Sequence, residues 1–141
     1  MTIDEAYKAI KNGDVLRLRD GLDRGLDPDL SNRFGWTILM AVAMTGNTKI
    51  GEILISKGAS LNLRNKHGDT ALSLAIQMGH PPFVSLLLRS GASLDCHPHG
   101  NSLDIFTDWV VQYCGVTEGT MTKIRAQIAL ARGLNDHPSG Q

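Results

Sequence analysis

Four series of residues recur in this chain at one spacing, and that spacing decides what it can fold into. Gly13, Gly46 and Gly79 lie 33 residues apart, as do Gly25, Gly58 and Gly91, the pair Gly35 and Gly68, and the pair Thr37 and Thr70. Self-similarity at such a period marks a tandem array in which each unit buries its apolar face only against its neighbours. With 141 residues the chain holds about four units in one domain. Hydrophobic residues at 42% supply a core, and charged residues at 20% argue against a largely disordered chain.

The segments between the markers define the unit. Thr37 to Gly46 and Thr70 to Gly79 each read as one short helix. The threonine hydroxyl accepts a free first-turn N–H, and the glycine closes the helix in the left-handed region. Ile50, Ile53 and Leu54, then Phe83, Leu86 and Leu87, repeat at i, i+3, i+4 and form the apolar stripe of a second helix. Pro81 and Pro82 open one of these helices, where a missing N–H costs little. Gly58 and Gly91 then turn the chain into an extended connection, and a positive φ at Gly58 would make a β-branched replacement strongly unfavourable.

These residues resemble the ankyrin repeat family, with its period of 33 and its T-P-L-H-x-A, G-H and G-A signatures. The resemblance implies an all-α solenoid of four helix-turn-helix units with short hairpins and divergent terminal repeats. Units are expected at about 2–33, 34–66, 67–99 and 100–133, as a single domain over 1–133 with a flexible tail at 134–141. First helices are expected to begin near Asp4, Thr37 and Thr70, second helices near Asp14, Thr48 and Pro81, and hairpins at about 31–37, 64–70 and 97–102. Ile38 and Ala71 replace the family's proline, and Met40 and Ser73 its histidine, so the hydroxyl-to-imidazole bond of that motif cannot form. The fourth unit carries extra length, expected near Tyr113 to Thr120, where Gly115 and Gly119 interrupt the helices, with Gly133 as its last glycine.

Reactive chemistry is thinly represented. Cys96, His97 and His99 offer thiolate and imidazole, but no Cys-x2-Cys or His-x3-His pair accompanies them and Pro98 stiffens the backbone between the histidines. A surface hairpin explains them better than a metal site. There is no Gly-x-Ser-x-Gly elbow and no phosphate-binding loop. Cys114, among Val110, Val111 and Tyr113, is expected to be an inert, apolar-set thiol. Asp27 and Asp29 belong to the turn around Pro28. The spacing of Leu54 and Asn62 resembles that of hydroxylated ankyrin asparagines, yet a turn role accounts for Asn62. No enzyme activity, cofactor or metal is expected.

What remains is a surface. The ankyrin resemblance implies binding through a concave face built from hairpin tips and first helices. Carried over residue by residue, that face is Arg33, Phe34, Trp36, Met44, Thr45, Lys66, His67, Asp69, Gln77, Met78, His99 and Asn101, with Lys11 and Asn12 in the first unit. Trp and Arg dominate binding hot spots, and Met adds an adaptable apolar contact. The competing role for Trp36 is to fold back over Tyr7 and seal the first unit. Trp109, beside Ile105 and Val110, is expected to pack in the terminal cap.

Fourteen bases balance fourteen acids, so a nucleic-acid partner is not expected. Residues 34–99 carry five bases against three acids, which favours a protein partner with a mildly acidic patch. No apolar run is long enough to span a membrane, and two cysteines point to a reducing cytoplasm. The expected function is a protein-binding module, an adaptor or inhibitor that is monomeric when free. The alternatives are a self-associating scaffold or a metal-binding protein using Cys96, His97 and His99.

Overall fold

The computed structural model describes residues 1–95 and 102–136, with side chains through Gly133. The described residues form eight helices and no strand: α1 (Ile3–Lys11), α2 (Val15–Asp23), α3 (Ile38–Thr45), α4 (Thr48–Ser56), α5 (Ala71–Gln77), α6 (Pro81–Arg89), α7 (Leu103–Tyr113) and α8 (Glu118–Asp136). The first helix of each unit packs on the next, α1 on α3, α3 on α5 and α5 on α7. The second helices form a parallel row of α2, α4, α6 and α8. One apolar core runs the length of the stack between the two rows, from Ala6 to Ile128. This is the all-α solenoid of four helical pairs that the period predicts.

Local chemistry starts and stops the helices where the repeat requires. Thr37 and Thr70 cap α3 and α5 by accepting the N–H of Met40 and Ser73. The missing histidine has a replacement in the third unit. The Ser73 hydroxyl accepts the Thr70 N–H at 2.9 Å and reaches the Asp69 carboxylate at 3.2 Å, so the start of α5 is closed by a serine network. The first unit departs from the period. Thr2, not Asp4, caps α1, because Thr2 and Glu5 form a reciprocal capping box and Asp4 falls in the first turn, where its charge suits the helix dipole.

Among the described residues the hairpins are tied by asparagine and contain only an isolated bridge between Ser31 and Thr37. Asn32 Oδ1 accepts the N–H groups of Phe34 and Trp36, and Asn65 Oδ1 those of His67 and Asp69. The two tips join where the Lys66 N–H donates to the Phe34 carbonyl at 3.0 Å. A second ladder sits at the connections. Asp29 accepts the Ser60 N–H at 2.7 Å and Asn62 accepts the Ser93 N–H at 2.8 Å. Asp29 and Asn62 are one period apart, so each side chain hooks the backbone of the following unit. The expected hairpin at 97–102 lies, except for Ser102, outside the described residues.

The fourth unit holds its extra length in helix. α7 has 11 residues and α8 has 19, against 7 to 9 in the helices before them. Gly115, at φ +76, separates α7 from α8 as expected, but Gly119 and Gly133 lie within α8 and stop nothing. Counting from the caps, Leu39 and Leu72 correspond to Asp104, and Ala43 and Ile76 to Asp108. The four apolar residues are buried. The two carboxylates are about three-quarters exposed and pair with Arg132 and Arg125 of α8. The fourth unit thus presents charge on the face where interior units present hydrocarbon, which is how a solenoid ends its stack in water.

Candidate functional site

The first two units enclose a groove of about 480 Å³ lined by Tyr7, Ile10, Lys11, Asn32, Phe34, Trp36, Ala41, Met44 and Thr45. Its floor is the seam between α1 and α3, and its rim is the first hairpin. That hairpin is clamped in place: the Tyr7 hydroxyl donates to the Trp36 carbonyl at 2.6 Å while Asn32 ties the loop from within. Burial pushes the Tyr7 phenol above its ordinary value, which keeps it protonated as this bond requires. Of the two roles weighed for Trp36, the structure shows the packing one. The residue is half-buried against the core and held to Tyr7, and it lines the groove as well.

The polar atoms of the groove are largely engaged inside the protein. Tyr7 donates to Trp36, Thr45 donates to the Val42 carbonyl at 2.8 Å, and Asn32 Oδ1 accepts two backbone N–H groups. Phe34 remains 46% exposed, with the Arg33 guanidinium 4.8 Å from its ring centre. Lys66 stands beside Phe34 through the hairpin-to-hairpin bond. Among the described residues Lys11, Arg33 and Lys66 form no salt bridge.

Arg33, Phe34, Trp36, Met44 and Thr45 are therefore brought together, while the third-unit residues form a more polar continuation. Asp69 is engaged by Ser73 and by Gln77, whose amide donates at 2.9 Å. Lys66, His67 and Met78 are exposed. His99 and Asn101 lie outside the described residues, as do Cys96 and His97. Sequence reasoning missed Ile10, Asn32 and Ala41 as lining residues and considered Tyr7 only as a packing partner. The signal for Asn32 was present, because it stands one period before Asn65.

A second apolar surface corrects an expectation. Ile105, Trp109 and Tyr113 follow one another at i, i+4 and i+8 along α7 and are 57%, 46% and 65% exposed. Trp109 stacks against Phe106 and tilts against Tyr113, with ring centres 6.3 and 5.8 Å apart. It does not pack away in the cap. Counted from the caps it matches Met44 and Gln77, so it stands on the same row of the stack. Cys114 caps α7 and is exposed, and partial burial raises its thiol as expected. Among the described residues no group of three His, Cys, Asp or Glu converges as metal ligands, and no helix is long and apolar enough to cross a membrane.

The fold and this surface define a class of repeat scaffold, and comparison with known proteins gives it a family. The family model described as ankyrin repeats, three copies, matches residues 7–97. The chain belongs to the ankyrin-repeat family, whose fold is a protein-interaction scaffold and generally non-catalytic. An ankyrin repeat domain from Acinetobacter baumannii superposes with a TM-score of 0.73 at 27% identity, covering 90% of this chain and 63% of that one. The human ASB11 ankyrin repeat domain superposes at 0.72 with 22% identity, covering 89% and 53%, and shows the shared fold. Among curated proteins, the ankyrin repeat, SAM and basic leucine zipper domain-containing protein 1 of Neofelis nebulosa is 40% identical over 53 residues, and that of Mus musculus 38%. Those matches cover 38% of this chain and 11% of the relatives' length.

Proposed function

We propose that this chain is a docking module that binds a partner protein through its concave face and blocks or positions it, as an inhibitor or adaptor in the cytoplasm. The groove between the first two units carries this reading: a preformed apolar pit, clamped by Tyr7 and Asn32, costs little conformational entropy to fill. The charge balance of the central units favours a partner surface of mildly acidic character. Blocking is the simplest output of a scaffold that binds without chemistry of its own, and the chain works as a monomer when free.

Phe34→Ala and Trp36→Ala are each expected to weaken the partner complex by about 2 kcal/mol, roughly 30-fold, as truncated hot spots do. Pull-down from source lysate followed by calorimetric titration of the recovered partner measures this. Because Trp36 also supports the hairpin, the half-exposed Phe34 is the cleaner variant. Unchanged affinity in a Phe34→Ala protein with wild-type melting would remove the groove from the interface. One observation favours a second reading, in which the fourth unit docks or self-associates: the exposed row of Ile105, Trp109 and Tyr113. Trp109→Ala then becomes the damaging change, and molecular mass by light scattering rises with concentration if that row joins two copies.

A further inference from the structure

The groove's chemistry also specifies what fills it. We infer that the pit between α1 and α3 receives one large apolar side chain from a linear peptide segment whose neighbouring residues are acidic. This deepens the docking reading and rests on it.

Two features of the site select that ligand. The first is the state of its polar atoms. With the Tyr7 and Thr45 hydroxyls and the Asn32 oxygen engaged internally, a polar group pushed into the pit would lose water and gain few partners. A Leu, Met or Phe side chain loses nothing there and covers Ile10, Ala41 and Met44. The second is the charge at the mouth. Lys11 lines the groove, Arg33 lies over Phe34, and Lys66 follows at the adjoining tip. None of the three has a salt-bridge partner among the described residues. No acid lines the groove, and Asp69, which keeps its charge while it accepts from Ser73 and Gln77, forms no salt bridge with any of the three. Asp4 lies close enough to raise the Tyr7 phenol, but it stands on the first turn of α1, does not line the groove and forms no salt bridge with the three cations.

Carboxylates on either side of the anchor would meet these cations at the rim, where they set register and speed association. A basic or uncharged flank would leave the three cations facing like charge or nothing, so the same anchor in that setting binds more weakly. The groove volume falls within the range of about 300–1,000 Å³ typical of ligand sites, enough for a single side chain and its backbone.

The test uses the whole chain and a displayed library of random 12-residue peptides. Selection on the wild type is expected to enrich sequences with Leu, Ile, Met or Phe flanked within three residues by Asp or Glu. The best peptide, made synthetically, should bind at least tenfold more weakly to Thr45→Trp, which fills the pit from the exposed end of α3. It should also bind at least tenfold more weakly to the triple variant Lys11→Glu, Arg33→Glu, Lys66→Glu. A reselection on the triple variant should return basic flanks. Enriched peptides that need the open pit but carry basic or neutral flanks would overturn the acidic specification and leave the docking groove standing. Peptides indifferent to Thr45→Trp, in a variant with wild-type circular dichroism and melting, would overturn the groove itself. Failure to enrich any sequence would overturn recognition of a linear segment, while the loss of a folded partner on Phe34→Ala would still uphold the broader reading.

Discussion

Phe83→Ala is expected to cost about 4 kcal/mol, a large share of the stability of a small domain. Phe83 is fully buried on α6. Its ring lies over Gly51 of α4, so closely that a Cβ built there would come within 2.7 Å of Phe83 Cε2. Gly51 is a poor helix former in the middle of a helix, and by propensity alone the chain would do better with alanine. The ring is the reason it does not: the glycine is the hole and the phenyl is the knob that locks the second unit to the third. Removing the phenyl loses its transfer free energy and leaves a cavity that neighbouring helices cannot close without breaking the repeat. Because a solenoid holds together by nearest-neighbour interfaces, the damage falls on cooperativity as well as on midpoint. Guanidinium denaturation followed at 222 nm should show an earlier and broader transition than wild type. A loss below 1 kcal/mol with an unchanged slope would mean that the α4–α6 contact does not couple the units.

How much of this was legible beforehand depends on whether the information is periodic. The central units were readable because each interface repeats. Thr37 and Thr70, Gly46 and Gly79, and the stripes of α4 and α6 state the same unit twice, and the helix starts at Thr48 and Pro81 followed from that. The ends were harder because they have water on one side. At the first unit a local capping box of Thr2 and Glu5 overrode the period and moved the helix start before Asp4. At the fourth, the expected interruption holds at Gly115, but Gly119, expected to interrupt as well, is carried inside α8, as is Gly133. Glycine in a helix costs only about 1 kcal/mol, which packing of α8 along α6 can offset. Trp109 was placed in the cap because an aromatic at helical spacing usually packs. What could have warned against this is that Asp104, Asp108 and Trp109 leave α7 without the apolar residues that cover the corresponding positions in α3 and α5. The groove was half legible. Phe34, Trp36 and Met44 came from repeat position, whereas Ile10 and Ala41 became lining residues only through the way α1 and α3 meet.

Gly46→Ala is expected to cost about 3 kcal/mol, and the reason can be divided experimentally. Gly46 closes α3 at φ +74, where an L-residue loses about 1–2 kcal/mol. The remainder comes from the next unit. A Cβ at position 46 would lie 2.7 Å from both Cγ and Nδ1 of His80. Those atoms are at the root of the imidazole, so the ring cannot swing aside as the end of a long side chain could. Moving it would also disturb the contact of His80 Nε2 with the Met44 carbonyl at 3.1 Å. Gly58 supplies the control, since it sits at φ +90 with nothing within 4 Å of a built Cβ. Gly58→Ala should therefore show the conformational cost alone, about 1–2 kcal/mol. Adding His80→Ala to Gly46→Ala should return the loss toward the Gly58 value, a coupling that only neighbouring side chains produce. Equal losses for Gly46→Ala and Gly58→Ala, with no recovery in the double variant, would show that His80 does not occupy that space. The site makes the result matter beyond stability. Met44 and Thr45, which immediately precede Gly46, form one wall of the groove, so a shifted His80 would disturb the proposed binding surface from behind. Peptide affinity should then fall in Gly46→Ala but hold in Gly58→Ala when both are measured well below their melting temperatures.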